Sequence, residues 1–496
     1  MNLRPYQQEL AQRVWKAIKH LGPGAGVMMQ LPTGGGKTAI GCDLLHQFVN
    51  RLPDHVHGWL THRRELRSQS GERLKDYGLD VASMSDLAPN DRHWFYEGVN
   101  LISPSLRRWP TLPDKCGLLI VDEAHHTPAN TWAKLVSLWQ SRGGIVVGLT
   151  ATPWRLSRQQ GFEDWYNTLI CGPSVSELQT DDWLATPRVK FPQDAHIDVS
   201  QARVARTGDY DYAWMEEEVS MLLAHKPVVE YWRDQTLDLD DRRTLWFVPT
   251  VTCAERLVES LGQSARLLTA ETPSLQRDLI LEGIDSRQLV HLVSVDVISE
   301  GIDIPSVPIV ASLRPTHSVA VWLQQCGRGS RPKGDSGSDA GIYTVMDFAG
   351  NSQRHGVPDE DRQWSLEPRA KQSGGKMKRP ESRCYNQRGC EDVVLHPSSR
   401  QCWNCGEDQW FECTECHVHR RWTSFARGKV CQICRDAEKE RVRVQNLRST
   451  DDLLSKVPRA PKASTGLITA NARPSNKWKR REKLLDKVPG RKAGKK

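Results

Sequence analysis

The stretch Leu31-Pro-Thr-Gly-Gly-Gly-Lys-Thr38 constrains this chain more than any other segment. A loop that cradles phosphate needs glycines so that backbone N–H groups can turn inward, a lysine for the β- and γ-phosphates, and a hydroxyl for Mg²⁺. Thr33, Gly34, Gly35, Gly36, Lys37 and Thr38 supply these in order. The apolar run Val27 to Leu31 precedes the loop and helix-compatible sequence begins near Lys37, the strand–loop–helix context that such a cradle requires. Position 31 carries Leu where the general phosphate-loop pattern has its first Gly.

A strand feeding a phosphate loop implies a parallel sheet, and the rest of the chain agrees. Short apolar runs recur at Val27-Met-Met-Gln-Leu, Gly58-Trp-Leu-Thr, Val99-Asn-Leu-Ile, Leu118-Leu-Ile-Val and Ile145-Val-Val-Gly-Leu. Continuous rather than alternating runs suit strands buried on both faces. The pattern resumes at Leu245-Trp-Phe-Val, Ala265-Arg-Leu-Leu, Leu289-Val-His-Leu-Val, Pro308-Ile-Val-Ala and Ile342-Tyr-Thr-Val-Met. These runs predict two doubly wound α/β domains, over 1–190 and 226–355, joined by a connection at 191–225.

A phosphate-transfer site also needs a carboxylate pair at the end of a second buried strand, to hold Mg²⁺ and to take a proton from water. Leu118-Leu-Ile-Val-Asp122-Glu123-Ala124-His125 meets that demand, with Asp122 as the metal-side carboxylate and Glu123 as the general base.

From here the chain resembles a family, the superfamily 2 helicases of DEAH type. Within them it is most similar to the Ssl2-like branch and its bacterial DNA-repair ATPases. Leu3-Arg4-Pro-Tyr-Gln7 is similar to the adenine-reading segment, which implies base contact by Arg4 and Gln7. Thr61-His-Arg-Arg-Glu-Leu66 and Ile102-Ser-Pro-Ser-Leu106 resemble motifs Ia and Ib, which line a nucleic-acid strand in the family. Thr150-Ala-Thr152-Pro153 resembles the motif that couples the two domains. Phe247-Val-Pro-Thr250 resembles motif IV, and Val295 to Pro305 resembles motif V, which implies nucleotide contact by Gly301 and Asp303. Gln324-Gln-Cys-Gly-Arg328-Gly-Ser-Arg331 matches motif VI. The resemblance implies two tandem RecA-like folds and a reaction in which Lys37, Asp122, Glu123, Gln324, Arg328 and Arg331 take part, with Thr38 and Asp122 on Mg²⁺. An arginine brought from a second domain onto the γ-phosphate is physically apt, because transfer builds charge on the equatorial oxygens.

After a polar linker at 356–382, eight of the 13 cysteines fall between Cys384 and Cys434. Cys413-x2-Cys416-x14-Cys431-x2-Cys434 has zinc-ribbon spacing. Cys384, Cys390, Cys402 and Cys405 could form a second site, with His396 able to replace one ligand. An alternative pairs Cys402 and Cys405 with Cys413 and Cys416. Four thiolates leave Zn²⁺ no open position, so such zinc is structural. The predicted cysteine-rich module spans 383–436; Trp403, Trp410, Trp422, Arg420 and Arg421 within it suit stacking and phosphate contact.

Residues 437–496 read as a basic tail without regular structure. From 451 on it holds 14 Lys/Arg against 4 Asp/Glu, which leaves 54 and 56 for the rest of a chain of net charge +8. A near-neutral body with a basic tail points to a polyanionic partner. Leu453-Leu-Ser-Lys-Val-Pro458 and Leu484-Leu-Asp-Lys-Val-Pro489 resemble each other inside it. No apolar run approaches the roughly 18 residues of a membrane span, and the expected compartment is the cytoplasm.

These readings converge on an ATP-driven DNA helicase or translocase of repair or replication. It would act on duplex, forked or single-stranded DNA, beside single-stranded-DNA-binding or repair proteins, and would use ATP, Mg²⁺ and one or two Zn²⁺. An RNA helicase and an ATP-switched adaptor docking through the zinc module are the rival readings.

Overall fold

Each apolar run of the first domain becomes a strand whose alternate side chains face opposite layers. The computed structural model describes residues 3–61, 64–83, 98–103, 114–154, 161–225, 227–295, 306–331, 341–368, 393–394, 402–403, 410–412 and 419–421. In the first domain these include β1 (Gly26–Gln30), β2 (Val56–Leu60), β3 (Val81–Ser83), β4 (Val99–Ile102), β5 (Cys116–Asp122), β6 (Ile145–Thr150) and β7 (Thr168–Cys171). Every pairing is parallel and the order is β3-β4-β2-β5-β6-β1-β7. Val27, Met29, Leu118, Ile120, Val147 and Leu149 pack beneath the helices Pro5–Leu21 and Lys37–Arg51. Met28, Leu119, Val121 and Val146 pack on the other side against Trp132, Leu135 and Trp139 of the helix Asn130–Ser141. Continuous apolar sequence is what burial on both faces demands.

The second sheet repeats the plan with β8 (Thr186–Lys190), β9 (Thr244–Val248), β10 (Ala265–Leu268), β11 (His291–Val295), β12 (Ile309–Ser312), β13 (Ile342–Asp347) and β14 (Val393–Val394). Its order is β10-β11-β9-β12-β13-β8-β14, parallel except for the antiparallel β14. Trp246, Val248, Val293, Ile309, Ala311 and Met346 face one layer; Leu245, Phe247, Leu292, Val310 and Val345 face the other. Two parallel-sheet α/β domains therefore stand in tandem.

The boundaries differ from those expected. Residues 186–190 pair with β13 rather than closing the first domain, so the crossover falls at 181–185 instead of after 190. The sequence Thr-Pro-Arg-Val-Lys hides this strand, because only Val189 is fully buried and no apolar run marks it. Residues 191–225 are not a free connection. Ala195, Ile197, Tyr210, Trp214, Met215, Val219 and Leu223 join the second domain's core. Residues 356–368, expected as linker, pack back onto the first domain through Leu366.

Of the cysteine-rich module, Val393 pairs with Lys190 on β8, Cys402 is buried beside it, and Trp403 lies 5.5 Å from the Arg188 guanidinium and 5.7 Å from the Lys190 ammonium. Trp410–Glu412 pairs antiparallel with His419–Arg421. Cys384, Cys390, Cys405, Cys413, Cys416, Cys431 and Cys434 lie outside the described residues, as does the whole tail. Among the described residues no helix is long and apolar enough to cross a membrane.

One core group makes the second domain pH-sensitive. His291 accepts a hydrogen bond from Trp246 Nε1 (3.2 Å) and lies edge-on to Trp232, at 4.4 Å between ring centres. Burial, with a smaller push from Arg242, lowers its pKa to about 4. The unfolded chain binds that proton near pH 6.5, so the unfolded state is protonated first as pH falls. Stability is intact above about pH 6.5 and declines toward pH 4, by roughly 3 kcal/mol over the window. Chemical denaturation of His291→Asn, which keeps an acceptor but does not titrate, should show a flatter dependence between pH 6.5 and 4. Equal slopes for the two proteins would remove His291 as the cause.

Candidate active site

The phosphate loop leaves β1 at the place where a parallel sheet offers its ligand crevice, beyond the carboxyl ends of the strands. Gly34 and Gly36 hold φ of 84° and 83°, a left-handed backbone that favours glycine. A side chain at Gly34 would meet Leu184, at 2.9 Å from its Cδ2, and one at Gly36 would overlap the Gln7 amide. The helix Lys37–Arg51 starts at Gly36 with no side-chain cap, so its first N–H groups face the loop. Lys37 reaches back to the Leu31 carbonyl at 3.3 Å.

The amino-terminal segment docks on this loop. Tyr6 Oη and Gln7 Nε2 both donate to the Gly35 carbonyl, at 2.9 and 3.0 Å. Gln7 Oε1 accepts from the Arg4 backbone at 2.9 Å. The Arg4 guanidinium lies 4.5 Å over the Trp183 ring, and Tyr6 stands 5.9 Å from the same ring. Trp183 belongs to the crossover and no sequence motif points to it. A tryptophan in a polar stretch carries no signal of its own, and only the fold brings it here.

Asp122 ends β5, buried, and accepts from the Glu123 backbone N–H at 3.1 Å. Glu123 adopts φ 49° and ψ 53°, a conformation that costs an ordinary side chain on the order of 1 kcal/mol or more. Its carboxylate stands 3.3 Å from His125 Nδ1, and the same nitrogen is 3.3 Å from Thr150 Oγ1. The one imidazole nitrogen thus faces both the carboxylate and the threonine hydroxyl. Thr150 Oγ1 also accepts from the Thr152 N–H at 3.1 Å. The carboxylate is thus joined to the turn after β6 through one histidine.

The second domain closes the site. The helix Val319–Cys326 is capped by Ser318, whose Oγ accepts from Val321 N, and it presents Gln324 just before the turn that carries Arg328 and Arg331. A side chain at Gly327 would collide with Thr33, at 2.6 Å between Cβ atoms. The Ala185 N–H donates to the Ser330 carbonyl at 2.8 Å. Gln324 and Arg328 are buried, and Gln324 Nε2 has no hydrogen-bond partner among the described residues. Burial pulls the Lys37 pKa down; Glu123 and Asp122 push it up, while Arg328 and Arg331 lower it further. Lys37, Asp122, Glu123, Arg328 and Arg331 thus lie close enough to act on one another's charge, and Gln324 sits on the helix that leads to the two arginines. Of the expected nucleotide contacts, Gly301 and Asp303 lie outside the described residues, as do His62 and Arg63 of motif Ia, 104–106 of motif Ib and 296–305 of motif V.

A glycine cradle, a half-buried ammonium and an orphaned buried amide fit a nucleoside triphosphate. Thr38 and Asp122 are the groups that would hold its Mg²⁺, which supplies charge neutralisation at the phosphates when bound. In the reaction that the sequence resemblance implies, Glu123 would take a proton from water, and Arg328 and Arg331 would neutralise the charge that grows on the transferred phosphoryl. Among the described residues no group of three or more His, Cys, Asp and Glu is arranged to hold another metal.

The comparisons agree with this geometry. Residues 1–155 match the family model "Type III restriction enzyme, res subunit", and residues 228–333 match "Helicase conserved C-terminal domain". The "51.5 kDa protein" of a Lactococcus phage is 26% identical over 389 residues, covering 77% of this chain and 78% of that protein. "Putative ATP-dependent helicase IRC3" of Saccharomyces cerevisiae is 24% identical over 347 residues, 66% of this chain and 49% of its own length. The chain thus spans about half of that yeast relative. Among solved structures, a fragment of "a putative HsdR subunit of a type I restriction enzyme" from Vibrio vulnificus shares the fold, with TM-score 0.53 and 18% identity over 72% of this chain and 66% of that one. Fold, site and family models together define a two-domain ATPase of superfamily 2. The chain is a nucleic-acid-dependent ATPase of the helicase type.

Two substitutions test the assigned roles in steady-state hydrolysis. Glu123→Gln should lower kcat by about 10²–10⁴-fold with KM for ATP little changed, as loss of a general base does. Arg331→Ala should lower kcat by about 10³-fold or more. A Glu123→Gln enzyme with near-normal kcat would assign proton transfer to another group.

Proposed function

We propose that this ATPase moves along DNA, coupling each hydrolysis to a step on the strand, and that it serves DNA repair or replication. The observation that carries the reading is the cleft: the lysine and carboxylates sit on one domain and the arginines on the other, so nucleotide draws the domains together and hydrolysis releases them. DNA is favoured over RNA by the restriction-enzyme names of the first family model and of the solved relative. It is also favoured by the DEAH form of Asp122 to His125 and by the resemblance of Leu313-Arg-Pro-Thr-His-Ser-Val to the Ssl2-like repair ATPase RadD. Steady-state hydrolysis with single-stranded, duplex and forked DNA and with RNA tests this, with Lys37→Ala as the blank. DNA should stimulate turnover above the blank and RNA much less. Equal stimulation by RNA would move the substrate to that class, and no stimulation by any nucleic acid would end the motor reading.

The auxiliary segments serve the same task in this proposal. Cys413, Cys416, Cys431 and Cys434 hold a structural Zn²⁺ by their spacing, Cys384, Cys390, Cys402 and Cys405 a second, and the basic tail grips phosphate. Metal analysis of the purified chain should return one or two zinc per molecule; none would refute the ribbon. Removing 437–496 should weaken DNA binding and make the log–log salt slope shallower, by roughly 0.9 for each phosphate that the tail neutralises. An unchanged slope would give the tail to a protein partner.

A further inference from the structure

Residues 356–368 follow the last described helix of the second domain, Asn351–His355, and return to the first domain as an extended strap. Arg362 curls its beginning, donating to the carbonyls of His355, Val357, Pro358 and Glu360 at 3.1, 3.0, 3.3 and 2.7 Å. From there Arg362, Trp364, Leu366 and Pro368 are half-buried while Asp361, Gln363, Ser365 and Glu367 are exposed. That period of two means one face of an extended chain lies on protein.

Its seat is the first domain. Ser176 Oγ donates to Asp361 at 2.9 Å, and the Phe162 N–H donates to the Leu366 carbonyl at 2.7 Å. Leu366 packs on the cluster that holds Phe162, Trp165 and Tyr166. Trp364 meets Trp154 edge to face at 4.5 Å. Gly161 is required for this approach: a Cβ there would overlap the Leu366 carbonyl and lie 2.8 Å from Pro368 Cδ. Beneath the strap is a cavity of about 600 Å³ lined by Thr33, Thr152, Leu323, Gly327 and the strap's own Arg362 and Trp364. The strap therefore shares a cavity with residues of both domains, beside Thr33 of the phosphate loop and Gly327 of the turn that carries Arg328.

Trp154 stands two residues beyond Thr152, whose N–H is bound by Thr150, the partner of His125 and so of Glu123. We propose that the strap is a second tether for catalysis and that Trp364 is a positioning residue. It keeps the turn carrying Arg328 and Arg331 against the phosphate loop, and it steadies the Thr150–Trp154 turn behind the general base. A second tether raises the effective concentration of the arginines without touching nucleotide. The inference rests on the ATPase reading of the site and adds to it a residue that no motif contains.

Two variants attack the tether differently: Trp364→Ala removes its ring, and Gly161→Ala pushes its backbone away while deleting nothing. In both, kcat for nucleic-acid-stimulated hydrolysis should fall by about tenfold or more with KM for ATP within about twofold, as a misplaced catalytic group predicts. Trp364→Phe should restore most of the rate. Small-angle scattering of the full chain reads the tether apart from hydrolysis, and the radius of gyration should rise in Gly161→Ala. Unchanged kcat and unchanged radius in both variants would overturn the proposal. So would a loss of rate that follows the melting temperature and is not rescued by Phe. A wild-type chain that hydrolyses nothing would refute the motor reading, while the scattering result would still judge the tether.

Discussion

An ammonium group taken out of water needs an anion beside it, and for Lys37 those anions are Glu123 and Asp122, which act on it more strongly than Arg328 and Arg331 from the second domain. Repulsion between the lysine and those arginines is weak in water and grows as the cleft closes and the dielectric falls. A triphosphate would add negative charge beside the lysine of one domain and the arginines of the other, and so favour their approach.

That charge cluster depends on backbone placed by the sheets. The order β5-β6-β1 sets the carboxylate pair, the Thr150 turn and the phosphate loop on neighbouring strand ends, so Glu123, His125 and Thr150 meet without any long side chain spanning the gap. In the second domain the motif VI helix is pinned by a buried polar network. Asp347 accepts from the Asn351 and Ser352 backbones, Asn351 donates to Ser312 Oγ, and Ser312 donates to Gln325 Oε1. Burial raises the Asp347 pKa and the Ser352 hydrogen bonds oppose it. The network holds the carbonyl end of Gln325, and with it the helix beside it, while Gln325 Nε2 has no hydrogen-bond partner among the described residues.

The two sheets and the residues gathered around Lys37 were legible because their signals are local. An apolar run has to be continuous if both of its faces are buried, and a phosphate loop or a strand-end carboxylate pair has to be contiguous to work. Arg328 and Arg331 were legible only through their order after the other motifs, since two arginines three apart carry no meaning alone. Strand β8 was missed because it lies near the sheet edge with one fully buried residue, Val189, and a proline inside it. Trp183 and the strap were missed for a different reason. A Trp in a polar segment and an alternating Arg-x-Trp-x-Leu-x-Pro run acquire meaning only from what they rest on, here Arg4 and Gly161.

With both connections in view, the cleft has chain on two sides. The crossover at 181–185 packs Leu184 against Gly34 and bonds Ala185 to Ser330, while the strap crosses from His355 to Leu366. The crossover alone would leave the second domain freer to swing, and the strap adds a restraint that narrows the motion without supplying charge. The tethers therefore decide where the arginines go, and the nucleotide decides when. The proposed motor would need that separation, since a cleft held shut by its own contacts would gain nothing from binding ATP.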